Sequence, residues 1–274
     1  MRQFRNCYRP VIILIMPFTL SHAAAALPFR RTRLVMSAVV VGCFAPDFEY
    51  FSPLGHHGSF GHTLTGMFVL DLPLGLAVLW LFHRYVREPL TACLPEGARE
   101  RLDRTPDTFA MNSFSRFAMI VFSILVGIAT HLFWDAFTHP RYWLYDHWLF
   151  LRQTVSIPLF GPRPWFGILQ YLSSVLGIVV VLLWYLHWYR TTPPVHSKRN
   201  RPFLTSDRVV IACSLVLAIA SGFVHAVASG VPHGVPGSQR FIANAVITGI
   251  TVLWVEIVIY GIVRALRRNT VKPV

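Results

Sequence analysis

Long apolar runs, separated by short polar loops, dominate this chain. A membrane-spanning helix needs about 20 predominantly apolar residues. Five runs are close to that length: 66–83, 117–137, 166–188, 209–228 and 241–263. A sixth run, 34–46, is too short for a straight span and is expected to be tilted, re-entrant or supported by neighbouring helices. The pattern predicts an all-α fold, a polytopic integral membrane bundle of about five to six spans.

The composition supports a membrane protein. Of the 274 residues, 54% are hydrophobic and 14% are charged, whereas a soluble chain is about one-quarter charged. The four cysteines form no CxxC pair and lie in or beside apolar runs. We therefore predict neither a disulfide framework nor a thiolate metal site.

The formal net charge of +13 is unevenly distributed along the chain. Lysine and arginine cluster in the loops 84–116 and 188–208 and in the tail from residue 264, whereas 139–165 and 229–240 contain few. By the positive-inside rule, the first three segments face the cytoplasm and the other two face outside. Basic loops that alternate with spans favour membrane topology over a nucleic-acid surface, so no nucleic-acid partner is expected.

The chain is predicted to form one membrane domain. This single domain covers 16–274 and has two parts. They are a motif-bearing core over 16–187 and a C-terminal helical hairpin over 205–264. Residues 1–15 are either part of a secretory signal, cleaved after Ala23 or Ala25, or an extension before a true start at Met16. The second interpretation is favoured, because the residues from Met16 onward can form a capped, Ala-rich helix. Cleavage would remove His22.

The strongest candidate site lies at the C-terminal end of the run 117–137. His131, Asp135 and His139 occupy positions i, i+4 and i+8, which fall within an arc of about 80° on one helix face. Imidazoles and a carboxylate on a rigid helix are suitable ligands for a divalent metal. Ionisable groups within a span usually mark a functional site. The alternative is an Asp135–histidine pair that only satisfies itself inside the bundle.

A second candidate group follows the short apolar run. Asp47 and Glu49 lie two residues apart beside a proline, and a loop rich in glycine and histidine follows, with His56, His57 and His62. Short His-rich tracts are typical of metal binding. His56 and His57 are more simply interpreted as solvated loop residues, and the alternative role for Asp47 is to cap the next turn.

The predicted topology places several of these residues at one face of the membrane. By the positive-inside rule, the end of the helix that carries His131 lies outside, level with Asp47 and His62. His22 does not fit this arrangement unless the segment before Arg30 forms a hairpin, and the sequence leaves that conflict open.

Asp71 interrupts the apolar run 66–83 and is followed by a proline. One interpretation is that it caps a helix that restarts near Leu72. The other is that its carboxylate points at the candidate site. The sequence does not distinguish between these two roles.

Four stretches carry a resemblance to a known family: MPFTLSHAAAALP, APDFEYF, GHTLTGMFVLDLPLG and THLFWDAFTH. They resemble an uncharacterised family of bacterial polytopic membrane proteins, a domain of unknown function. Its members share an MPFTxSHxxAxLP start and APDFEY, SHTxxG-like and THxxWDxFTH elements. The resemblance covers roughly residues 16–187 and supports Met16 as the start. Where that family usually has serine before the second histidine, this chain has Gly61.

More distantly, the pattern is similar to that of the membrane-bound metal-dependent hydrolases (YdjM-like). The positions that match their Thr-His, Pro-Asp, His-rich turn and HxxxD elements are His22, Asp47, His62, His131 and Asp135. His139 belongs to the motif of the closer family. This similarity implies a metal-dependent hydrolase in the bacterial cytoplasmic membrane.

The leading hypothesis is therefore a membrane-bound metal-dependent hydrolase with its site toward the extracytoplasmic face. One or two divalent ions, zinc or manganese, would be bound by His22, Asp47, His62, His131, Asp135 and His139. The candidate catalytic residues are Asp135 and Glu49, with Glu49 as general base. The expected partners are membrane lipid and a lipid-linked or other phosphoester substrate. The sequence does not indicate an oligomeric state.

Two other functional classes remain open. One is an ion- or proton-coupled transporter, in which Asp71, Asp135 and the histidines form a path through the membrane. The position of Asp71 and Glu256 within spans favours it. The lack of an internal sequence repeat weighs against it. The other is a non-catalytic membrane protein in which histidine and aspartate form a structural metal cluster.

Overall fold

The computed structural model describes residues 19–51, 60–102, 109, 111–140, 142–158, 161–195, 205–230 and 234–270. Residues 1–15 and the loop histidines His56 and His57 lie outside the described residues. Two 3₁₀ segments, Thr19–Arg31 (the N-terminal segment) and Ala45–Phe51, flank the first helix. The helices are α1 (Met36–Phe44), α2 (Leu64–Cys93), α3 (Glu96–Leu102), α4 (Phe114–Thr138), α5 (Trp143–His147), α6 (Leu149–Arg152), α7 (Trp165–Thr191), α8 (Thr205–Ala228) and α9 (Gly234–Thr270).

Among the residues that the structure describes, five helices are long and apolar enough to cross a membrane. They are Leu64–Cys93, Phe114–Thr138, Trp165–Thr191, Val209–Ala228 and Phe241–Arg267. Large apolar side chains remain exposed along these helices, for example Leu183 on α7 and Ile219 on α8, where a bilayer would cover them. The protein is a multi-pass, all-α membrane protein, and this prediction is confirmed.

The chain divides into two compact units. One comprises residues 15–79 and 108–188, and the other comprises 80–107 and 189–274. In the second unit α8 packs closely on α9. The two backbones are so near that a side chain added at Gly222 would lie 2.3 Å from the Ala245 carbonyl oxygen. All the candidate site residues belong to the first unit.

Within the first unit, α1 and α4 run side by side in the same direction. The Val35 amide at the start of α1 donates to the Ser123 hydroxyl over 3.0 Å, and the Cys43 thiol at the other end lies 3.4 Å from the Thr130 hydroxyl. At the crossing, added side chains on Gly42 and Gly127 would lie 2.2 Å from backbone carbonyl oxygens of the opposite helix. Glycine therefore allows the two backbones to touch, as is common between membrane helices.

The N-terminal segment runs back along α1 and forms a hairpin with it. Ala26 packs against Val39 and Cys43, while His22 stacks on His131 of α4 with ring centroids 4.0 Å apart. The hairpin therefore brings His22 to the end of α4 that carries His131. Asp47, which follows α1, reaches the same end. This resolves the conflict over the position of His22 that the sequence leaves open.

Two features of the fold are not predicted by the apolar pattern. A short antiparallel hairpin, β1 (Thr154–Ile157) and β2 (Gly161–Pro164), follows α6. Helix α2 contains two π-helical turns, Met67–Asp71 and Phe82–Val86. Such turns change the helical phase locally and are frequent at functional sites.

Candidate metal centre

The last turns of α4 carry the central part of the site. His131 and Asp135 are 0% and 1% exposed, and His131 Nε2 lies 3.4 Å from Asp135 Oδ2. His139, the first residue after α4, places its Nδ1 3.5 Å from the same carboxylate oxygen. The helical spacing thus puts both imidazoles on the carboxylate between them, with His139 the most exposed of the three.

Three residues from other segments complete what we call the His/Asp cluster. From the N-terminal segment, His22 Nε2 lies 3.8 Å from Asp135 Oδ1. His62, just before α2, places Nε2 3.4 Å from Asp135 Oδ2 and 3.6 Å from Asp47 Oδ1. Asp47, just after α1, also lies 3.7 Å from His131 Nε2. All six metal-ligand candidates therefore lie together: His22, Asp47, His62, His131, Asp135 and His139.

The orientation of His131 is fixed by the backbone of α1. Its Nδ1 lies 2.8 Å from the Cys43 carbonyl oxygen. Because a carbonyl oxygen can only accept, Nδ1 carries the proton and donates, which leaves the Nε2 lone pair facing the cluster. Metal-binding histidines are commonly held by a hydrogen bond of this kind from the other ring nitrogen.

Several polar atoms at the centre of the cluster have no hydrogen-bond partner among the described residues. They include His22 Nε2, His131 Nε2 and Asp135 Oδ1, all buried. A buried unsatisfied polar atom costs about 1–3 kcal/mol. Ligand atoms of His22, His131 and Asp135 lie within 4.8 Å of one another, as do those of Asp47, His62 and His131. A cation bound among these nitrogen and oxygen atoms would satisfy them, so the donor set fits a divalent metal.

Of the groups outside the spans, His22 and Asp47 have charge states that suit metal binding, whereas His62 must lose a proton first. Burial, together with the neighbouring His131, lowers the pKa of His22 to about 4, so its ring is neutral near pH 7. Burial opposes ionisation of Asp47, but the nearby His131 and His62 hold its pKa below the ordinary value. Burial would also lower the pKa of His62, but the carboxylates of Asp135 and Asp47 raise it to about 9. His62 is therefore protonated near pH 7 when no metal is bound, and a metal ion that binds this ring must displace the proton.

Glu49 lies beside the cluster and binds the backbone that leads to His62. The side chain is buried, and Oε2 accepts hydrogen bonds from the amides of Phe60 and Gly61 over 3.1 and 2.9 Å. This contact gives Glu49 a positioning role. Its proposed role as general base remains a prediction.

A pair of substitutions separates these two roles of Glu49. Glu49→Gln keeps a carbonyl oxygen that can accept from Phe60 and Gly61, whereas Glu49→Ala leaves both amides without this acceptor. If Glu49 positions His62, the glutamine variant keeps most of its metal affinity and activity, and the alanine variant loses about 10- to 100-fold in metal affinity. A glutamine variant that binds metal normally but has lost turnover would instead identify Glu49 as the base. Metal titration and turnover measurements on both variants provide the test.

Asp71 is a buried carboxylate whose position the sequence does not determine. Helix α2 runs through Leu72 without a break, so Asp71 does not cap a new helix. It is 0% exposed, and neither carboxylate oxygen has a hydrogen-bond partner among the described residues. Its Oδ1 would lie 2.8 Å from a side chain added at Gly61. The π-helical turn that ends at Asp71 therefore directs it toward the backbone next to His62.

Gln170 on α7 is a site neighbour that the sequence interpretation missed. It is 2% exposed, and its Nε2 lies 3.2 Å from His139 Nε2. The available signal was a single amide side chain within the run 166–188, which contains no acidic residue. This contact connects α7 to the edge of the His/Asp cluster.

The fold and the cluster together define a class: a multi-pass helical membrane protein with buried histidine and aspartate side chains at one end of a spanning helix. Residues 16–262 match the family described as Domain of unknown function (DUF4184). The chain belongs to this family. No curated protein and no solved structure matches it.

Proposed function

We propose that this protein is a membrane-bound metal-dependent hydrolase whose His/Asp cluster binds a divalent cation, zinc or manganese. One observation carries the proposal: His22 Nε2, His131 Nε2 and Asp135 Oδ1 converge, buried and without hydrogen-bond partners among the described residues. If these side chains only formed hydrogen bonds with one another, their buried atoms would be paired. In a metal centre, the ligand atoms instead face the ion.

The carboxylate charge of the cluster and the free lone pair of His131 limit the number of ions that the cluster would bind. Asp47 and Asp135 supply two negative charges, which balance one divalent cation once His62 has released its proton and the imidazoles are neutral. Both sets of converging ligands include His131, and its Nε2 has one lone pair. We therefore propose one ion when no substrate is bound. A second ion would need a further anion, such as the phosphate of a substrate.

The residues of this chain would divide the work as follows. His22, His62 and His131, with Asp47 and Asp135, would hold the ion, which when bound lowers the pKa of a water ligand and polarises a phosphoryl oxygen. Thr19 donates to Asp47 Oδ2 over 2.7 Å and fixes that carboxylate. The side chain of His139 is 22% exposed and lies at the cluster's edge, where it would exchange protons with the substrate.

The location of the cluster suggests the substrate. The cluster lies at the end of α4 remote from the basic loop 84–116, so the positive-inside rule favours the extracytoplasmic face of a bacterial cytoplasmic membrane. A hydrolytic site at that depth would act on a lipid-linked phosphoester. Membrane lipid is therefore the expected partner.

Phosphate release in proteoliposomes tests this function. Wild-type protein, stripped of metal and then loaded with zinc or manganese, is incubated with phosphatidic acid and with a polyprenyl phosphate. We expect release that depends on metal and falls at least about 100-fold in His131→Ala. His147→Ala, a histidine variant on α5 outside the cluster, serves as the control. Metal-loaded wild type that releases no more phosphate than His131→Ala would contradict hydrolysis and favour a structural metal cluster.

Proton- or ion-coupled transport is the second candidate function, and Asp71 is the observation that favours it. A fully buried carboxylate without a hydrogen-bond partner among the described residues, inside a membrane span, is typical of an ion or proton path. In the same proteoliposomes, movement of protons without phosphate release would favour this function over hydrolysis.

A further inference from the structure

A groove lies between the N-terminal segment and α7, away from the His/Asp cluster. Its volume is about 650 Å³, and its walls include Leu27 of the segment and Val180 and Leu183 of α7. One end carries three basic side chains, Arg30, Arg31 and His187. Nothing in the hydrolase proposal uses this groove.

The groove and the cluster lie toward opposite ends of the N-terminal segment. Near its start, next to His22, Ser21 packs so closely on α7 that a side chain on Gly177 would lie 2.7 Å from the Ser21 carbonyl oxygen. Near its end, Arg30 and Arg31 line the groove together with His187. The segment and α7 therefore run in the same direction, and the basic end of the groove lies at the end of α7 that leads into the basic loop 188–208.

The basic end of the groove suits an anionic headgroup. Arg30 and Arg31 are exposed, and neither forms an ion pair with a carboxylate among the described residues. Guanidinium groups bind phosphate oxygens in a bidentate manner. Trp184, which also lines the groove, is a residue type enriched at the membrane interface. The apolar walls beyond these groups are suited to an acyl chain.

We propose that this groove binds one anionic phospholipid from the cytoplasmic leaflet. Its phosphate contacts Arg30 and Arg31, and one acyl chain lies against Leu27, Val180 and Leu183. The positive-inside rule places this end of α7 at the cytoplasmic face. The bound lipid would hold the basic end of the N-terminal segment, whose other end carries His22 into the cluster. This role does not depend on whether the cluster is catalytic.

Native mass spectrometry of the full, delipidated chain tests the proposal, with phosphatidylglycerol and phosphatidylcholine of equal chain length as probes. We expect one tightly bound phosphatidylglycerol and weaker binding of phosphatidylcholine. The double variant Arg30→Gln/Arg31→Gln should bind phosphatidylglycerol about 30-fold more weakly. The matched control is Arg33→Gln, which changes an exposed arginine of the same basic stretch that does not line the groove.

Two results would overturn the lipid site. One is equal affinity of the wild type for the two lipids, and the other is unchanged phosphatidylglycerol binding by the double variant. Thermal unfolding of each variant without lipid checks that the fold is retained. If the double variant unfolds early, Arg30→Lys/Arg31→Lys keeps the charge, and partial retention of selectivity for phosphatidylglycerol would support the site.

Discussion

Asp135→Ala should abolish metal binding and any activity that depends on it. The carboxylate lies 3.4–3.8 Å from nitrogen atoms of His22, His62, His131 and His139. Removing it takes away a metal ligand and half of the negative charge that Asp47 and Asp135 supply together. Mutation of a residue that only hydrogen-bonds to a metal ligand typically lowers metal affinity about 10- to 100-fold. Because Asp135 would be a ligand itself, we expect metal affinity to fall more than about 100-fold.

The effect on stability separates a metal centre from a metal-free ion pair. Metal at 100 times its dissociation constant stabilises the folded state by about 2.7 kcal/mol. Wild type should therefore unfold at a higher temperature when metal is added, and Asp135→Ala should not respond. Asp146→Ala, which removes an exposed carboxylate from α5, should respond like wild type. A variant that lacks Asp135 yet keeps the full thermal response to metal would refute the assignment of this ligand.

Gly127→Ala should destabilise the protein and weaken the metal site at a distance. The added methyl group would lie 2.2 Å from the Val39 carbonyl oxygen and 2.7 Å from the Cys43 amide nitrogen. These are backbone atoms, so α1 and α4 must separate. Overpacking of this kind costs about 1–3 kcal/mol, occasionally more. Because the Cys43 carbonyl orients His131, we also expect weaker metal binding.

Gly75→Ala is the matched control for this helix contact. A methyl group at Gly75 would lie 3.3 Å from the Ile124 side chain, which can adjust. Thermal unfolding in detergent, measured with and without metal, compares the two variants. Equal stability of Gly127→Ala and Gly75→Ala would contradict the close packing of α1 on α4.

The spans and the α4 part of the site follow directly from the sequence. Five apolar runs of span length can only satisfy their backbone groups in a bilayer as helices. Within one such helix, the period of 3.6 residues determines that His131 and Asp135 share a face. Both predictions depend on local geometry alone, and local geometry is what a sequence pattern encodes.

The other contributions depend on contacts between distant segments. His22 reaches the cluster because the N-terminal segment turns back along α1, and the apolar pattern carries no signal for that reversal. The direction of Asp71 depends on a π-helical turn, which shifts the helix phase from the one that the sequence period predicts. Glu49 binds backbone amides of the turn before His62, so its partners have no side-chain signature in the sequence.

The metal content of wild-type protein tests the central claim most directly. The chain should be purified in detergent without added metal or a histidine tag, and its bound metals should be quantified by mass spectrometry alongside Asp135→Ala and His131→Ala. We predict about one equivalent of zinc or manganese in the wild type and almost none in either variant. Wild-type protein that carries no metal, and that stays empty when titrated with both ions, would contradict the metal centre and with it the proposed hydrolase.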